Sequence, residues 1–149
     1  MAEDARPLSI SRFGLAYLVW IVSWVLDTAL RWSDLRAIIL SRAPEAAGMV
    51  DSLLLGESAV AVAIAALIGW FAWRSPNGVM RWLSIAVLAI AAVLRLFGFA
   101  TLKLNLVGVI WVIGLAAIVA ALWFLFRPDA AAWYDRPAVS DADEAEPEA

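Results

Sequence analysis

The chain has 149 residues, of which 64% are hydrophobic and only 17% charged, with a mean hydropathy of +0.85, so it lacks the polar surface that a water-soluble fold of this size must present. It contains no Cys and no His, which excludes disulfides, thiol nucleophiles, imidazole-held haem and most zinc or copper sites. The net charge of -3 arises largely from the terminal stretch between Asp141 and Glu148, a composition that reads as a solvated, disordered tail.

Residues 1–12 read as an N-terminal cytoplasmic segment. The first apolar run, 13–30, predicts a membrane-spanning helix with Ser9 and Ser11 as caps and Arg12 placed to reach lipid headgroups. Asp27 and two tryptophans inside the run, with no small-residue cleavage site after it, argue for a retained span over a signal peptide. The connection that follows contains a cap at Ser33, an acid at Asp34, an apolar set of Leu35, Ile38 and Ile39, and a proline stop at Pro44. That pattern predicts a short amphipathic helix in the first loop, with Arg36 and Arg42 turned toward headgroups.

Further spans are predicted at 53–73, 82–102 and 104–126. A turn around Pro76, Asn77 and Gly78 joins the first two of these, and a few residues around Lys103 join the last pair in an antiparallel hairpin. Runs of about 20 residues match the ~30 Å thickness of the hydrocarbon layer. Residues 13–127 thus form the transmembrane domain. In the remainder, 128–149, a short interfacial helix starts at Pro128 or Asp129, with Trp133 and Tyr134 at the membrane surface, ahead of the acidic tail. The fold class expected is all-α: a polytopic, antiparallel bundle of four transmembrane helices.

Basic residues set the orientation. Arg6, Arg12, Arg74, Arg81, Arg127 and Arg136 fall on one side and Arg31, Arg36, Arg42 and Lys103 on the other, a bias toward both termini in the cytoplasm. Trp70, Trp73, Trp82, Trp123 and Trp133 are then expected as interface anchors. The abundance of Ala, Arg and Trp suggests a bacterial, GC-rich origin, and with it a multi-pass protein of the inner (plasma) membrane.

Three ionisable residues, Asp27, Glu57 and Arg95, lie inside apolar runs, where a charge is rare and faces the bundle interior. With alternating helix directions they fall at one depth, together with Asn105 at the start of the last span. The small residues Ala61, Ala65 and Gly69, then Ala91 and Ala92, then Gly108, share faces with them and mark close helix packing. The expectation is an intramembrane Asp/Glu/Arg cluster, with Asn105, that registers the helices. Two acids against one arginine leave one negative charge over, which a raised pKa, a cation or Lys103 would balance.

Residues 101–108, from Thr101 through Asn105 to Gly108, resemble the Thr-Leu-x-x-Asn-x-x-Gly stretch of the small four-helix fluoride channels over eight of 149 positions. That family carries the stretch in its second helix, followed by a glycine-rich break in the third. Here it opens the fourth helix and no such break follows. Size and helix number are similar to those of the small multidrug-resistance exporters, which implies an essential acid in helix one. Asp27 is the candidate, but it lies near the end of its helix with an arginine available to neutralise it. Small holins are similar in size, yet their tails are usually basic.

No nucleophile with a base, phosphate loop or metal-ligand set is legible, so neither catalysis nor a metal or cofactor is expected. The reading is a non-enzymatic structural or accessory subunit whose partners are the lipid bilayer and another membrane protein or a second copy of itself, with no role for nucleic acid. The alternative is a proton-coupled or ion-conducting carrier, working as a homo-oligomer, in which Asp27 or Glu57 titrates.

Overall fold

The computed structural model describes residues 6–97 and 105–135. Their regular structure is helical: α1 (Leu8–Leu30), α2 (Trp32–Arg42), α3 (Val50–Arg74), α4 (Gly78–Phe97), α5 (Leu106–Leu125) and α6 (Pro128–Tyr134), with a 3-10 turn at Pro44–Gly48 before α3. The long helices α1, α3, α4 and α5 have 23, 25, 20 and 20 residues and are apolar enough to cross a membrane. The protein is therefore a four-span, all-α membrane protein with a short helix between its first two spans. The expected acidic tail from 136 onward, and Lys103, lie outside the described residues.

Local chemistry explains where the helices begin. α1 starts earlier than the apolar run because the extended Pro7 caps it, its carbonyl accepting from the Ile10 and Ser11 amides. Ser9 and Ser11 are thus not caps; Ser9 lies inside the helix and its hydroxyl donates to Asp129 at 2.6 Å. α4 starts at Gly78 rather than 82 because the Asn77 side chain accepts from the Val79 amide at 2.9 Å, a local bond that ends the turn and opens the helix. α2 occupies the predicted loop segment, but Ile38 is exposed and none of its residues is buried. What holds it is polar: Asp51 at the start of α3 accepts from Trp32 Nε1 at 3.1 Å and pairs with Arg36 at 3.5 Å.

The spans alternate in direction, so α1 and α5 run antiparallel, and they form the most extensive helix pair in the molecule. Ile10, Phe13, Tyr17 and Trp20 of α1 and Ala117, Ile118, Ala121 and Leu125 of α5 are core residues, with Leu88 added by α4. α3 approaches α1 closely because Gly69 leaves room for the Tyr17 ring: a methyl group there would fall on its Cε1 and Cδ1. The Tyr17 hydroxyl then donates to the Ala65 carbonyl at 3.0 Å. Of the small residues expected on packing faces, Ala65, Gly69 and Gly108 are buried, and Ala61, Ala91 and Ala92 are half-buried.

At the end where α1 begins, α6 folds back over the bundle. Trp133 and Tyr134 were expected at the membrane surface, but they are only 7% and 3% exposed. Pro128 turns the chain directly after α5, and the seven-residue helix lays its Ala130, Trp133 and Tyr134 onto the core. The Tyr134 hydroxyl donates to the Ala72 carbonyl at 2.5 Å. Of the other expected anchors, Trp70, Trp82 and Trp123 present exposed rings. Trp73 is half-buried against Gly14 and lies beneath the Arg6 guanidinium, 4.0 Å from its centroid.

Candidate functional site

The charged residues of the spans lie toward the opposite end of the bundle. A cleft of about 480 Å³ opens between all four spans, lined by Trp20, Trp24, Asp27 and Arg31 of α1, by Ala61, Ile64, Ala65 and Ile68 of α3, by Val87, Ile90, Ala91, Leu94 and Arg95 of α4, and by Trp111 of α5. An adjoining recess of about 370 Å³ shares Trp24, Asp27, Arg31 and Ala61, and adds Thr28, Leu35, Leu54, Glu57 and Ser58. α6 closes the other end, so these openings face the α2 end and the lipid flank.

Arg95 lies in the cleft and is half-buried. Its Nη1 donates to the Trp111 carbonyl at 2.8 Å and its Nη2 lies 3.4 Å from the Ser23 hydroxyl. The Ser23 hydroxyl in turn donates to the Trp20 carbonyl at 2.7 Å. Gly114 makes this possible, since a Cβ there would overlap Ser23 Oγ and stand 2.5 Å from Arg95 Nη1. One guanidinium therefore ties α4 to the backbone of α5 and to a side chain of α1. Charge-assisted bonds of this kind are about twice as strong as neutral ones, and more so away from water.

Asp27 lines the same cleft as Arg95, but no ion pair within 4 Å joins them among the described residues. Its Oδ2 is 4.0 Å from Arg31 Nη1, one turn further along α1, and its side chain is only 16% exposed. Its other oxygen, Oδ1, is buried and has no hydrogen-bond partner among the described residues. Trp20 and Trp24 stack beside it at 6.0 Å with an interplanar angle of 11°.

The expected convergence of Asp27, Glu57, Arg95 and Asn105 into one buried cluster does not occur among these residues. Glu57 is exposed and reaches only the shallow recess. The reason is helical phase: residues four apart drift by about 40° per step, so Glu57 lies about 120° around α3 from Gly69, which faces the bundle. Asn105 is exposed and caps α5, its side-chain oxygen accepting from the Gly108 amide at 3.0 Å. Sequence reasoning did not find Ser23, Arg31, Trp111 or Gly114 as parts of the site. The repeat of Gly114, Ala117 and Ala121 at spacings of three and four was the available signal for a close-packed face on α5.

Chemically, the cleft offers a donor-rich guanidinium and an acceptor-rich carboxylate that are close but unpaired, set among indoles and aliphatic side chains. It can hold a dipolar group. No protein-family model matches the chain, and neither curated proteins nor solved structures show a significant similarity to it.

Proposed function

We propose that the protein is a non-enzymatic integral membrane protein, a structural or accessory subunit that packs with itself or with a larger membrane assembly. The observation that carries this reading is the use of Arg95, whose donors hold the Trp111 carbonyl and the Ser23 hydroxyl on two neighbouring helices. A charge anchored to a backbone carbonyl fixes the rotation of α4 against α5, which suits a scaffold of set geometry. On the outer side of α3, Gly56, Ala59, Ala63 and Ala66 are exposed at spacings that let another helix approach closely.

The chain has no native cysteine, so Ala63→Cys gives a clean cross-linking probe in native membranes. The expected outcome is a single adduct, either a disulfide-linked pair or a defined heavier species. Monomer alone, under conditions that cross-link a known dimer, would overturn the proposal. A second reading, a proton- or ion-coupled carrier with Asp27 as the titrating group, draws on the unpartnered Asp27 Oδ1. Liposome flux separates the two: the carrier reading requires proton flux that Asp27→Asn abolishes in a folded protein, and the structural reading expects none from either form.

A further inference from the structure

We propose that the cleft between the four spans holds one phospholipid whose headgroup carries both a phosphate and a primary ammonium, the phosphate facing Arg31 and Arg95 and the ammonium on Asp27. The argument begins with access. Ile64, Ile90 and Leu94 line the cleft and are themselves exposed, so its rim is an apolar opening between α3 and α4 that faces the hydrocarbon layer. Arg31 caps the end of α1, so the charged end of the cleft lies toward the headgroups and its aliphatic end toward the bilayer centre. A lipid entering sideways from its own leaflet has that polarity. Its volume of about 480 Å³ falls within the ~300–1,000 Å³ range of pockets that enclose a small ligand, enough for a headgroup and the first part of one chain.

The polar groups are mismatched in a way that such a headgroup repairs. Arg95 uses two of its guanidinium nitrogens on protein acceptors, and a guanidinium has five N–H donors in a planar fork suited to phosphate oxygens. Arg31 is half-exposed, and its nearest carboxylate oxygen is 4.0 Å away. Asp27 Oδ1 is a buried acceptor with no donor among the described residues, an arrangement that is costly in low dielectric. A purely anionic headgroup would satisfy the arginines and worsen the position of Asp27. A quaternary ammonium would bring charge but no N–H. A primary ammonium supplies both, and the Trp24 face beside it favours a cation.

The test uses the full chain in nanodiscs of phosphatidylethanolamine, phosphatidylglycerol and phosphatidylcholine in equal parts, released into native mass spectrometry. One retained phosphatidylethanolamine per chain is expected, enriched about tenfold over each other lipid, the ratio that one charge-assisted hydrogen bond provides. Asp27→Asn should abolish the phosphatidylethanolamine preference and shift retention toward phosphatidylglycerol, because Arg31 and Arg95 remain and the carboxylate that disfavours an anion is gone. Ala61→Phe, which puts a ring at a residue lining both the cleft and the adjoining recess, should abolish retention with helicity unchanged. Retention by the wild-type protein of all three lipids in bilayer proportion, of phosphatidylglycerol preferentially, or of none would overturn the proposal. So would displacement of the bound lipid by millimolar soluble phosphoethanolamine, which would mark a site for a free zwitterion. If either variant fails to fold, the headgroup ratio of the wild-type protein decides alone.

Discussion

Replacing Gly114 with Ala should destabilise the protein through Arg95 rather than through α5 itself. The new methyl group would overlap Ser23 Oγ and lie 2.5 Å from Arg95 Nη1 and 2.6 Å from its Cζ, so the guanidinium must withdraw from the Trp111 carbonyl. That forfeits a hydrogen bond from a charged donor, about 1.5–3 kcal/mol, and turning Ser23 away from the Trp20 carbonyl loses about 0.5–1.5 kcal/mol more. Against this, Ala is a better helix former than Gly by about 1 kcal/mol, leaving a net cost of about 1–3.5 kcal/mol. Reversible unfolding of the purified protein in mixed micelles, with increasing fractions of denaturing detergent, measures it. The decisive control is the background Ser23→Ala with Arg95→Met, where nothing polar remains to be displaced. There Gly114→Ala should cost less than about 0.5 kcal/mol or become stabilising, since coupling between residues in contact appears as non-additivity. An equal cost in both backgrounds, or no cost in the native one, would refute the claim that Gly114 exists to admit Arg95.

Tyr134→Phe removes the buried bond to the Ala72 carbonyl and should raise amide exchange of residues 128–134 about fivefold, the effect of roughly 1 kcal/mol, while leaving α1 and α5 protected. Ser84 is fully buried on α4 with an unpartnered hydroxyl, so Ser84→Ala should leave the unfolding midpoint unchanged or raise it by up to about 2 kcal/mol equivalent; a clear loss would reveal a partner. The Ser9 hydroxyl holds the Asp129 carboxyl below the usual carboxylate range. Because that folded-state value is the lower one, the stabilisation of α6 docking is present at neutral pH and lost as pH falls through it. Amide exchange across α6, corrected for intrinsic rates, should therefore stay level from pH 7 to 5 and rise below about pH 4, and Asp129→Asn should reproduce the low-pH value at pH 7.

The spans were legible because the bilayer imposes a length and apolar runs of about 20 residues meet it, and the inward faces of Ala65, Gly69 and Gly108 were legible because small side chains are where membrane helices close on one another. The fate of each polar residue was not, for three separate physical reasons. Glu57 was placed by following every fourth residue from Gly69, but a straight helix turns that row by about 120° over twelve residues, far enough to carry a carboxylate from the interior to the surface. Asn105 was placed by depth, yet a residue just before a helix start has unpaired amides within reach, and capping Gly108 satisfies it locally. Arg95 was given carboxylate partners because acids are the visible complement of an arginine in a sequence. Its principal partner is the carbonyl of Trp111, a group every residue possesses. What distinguishes that carbonyl is the missing side chain three residues on, at Gly114. In this protein Gly114 fixes where the Arg95 guanidinium can reach backbone, one of the two pairings open to a charge in a membrane span. That choice leaves Asp27 to Arg31 at 4.0 Å, with its Oδ1 buried and without a partner among the described residues.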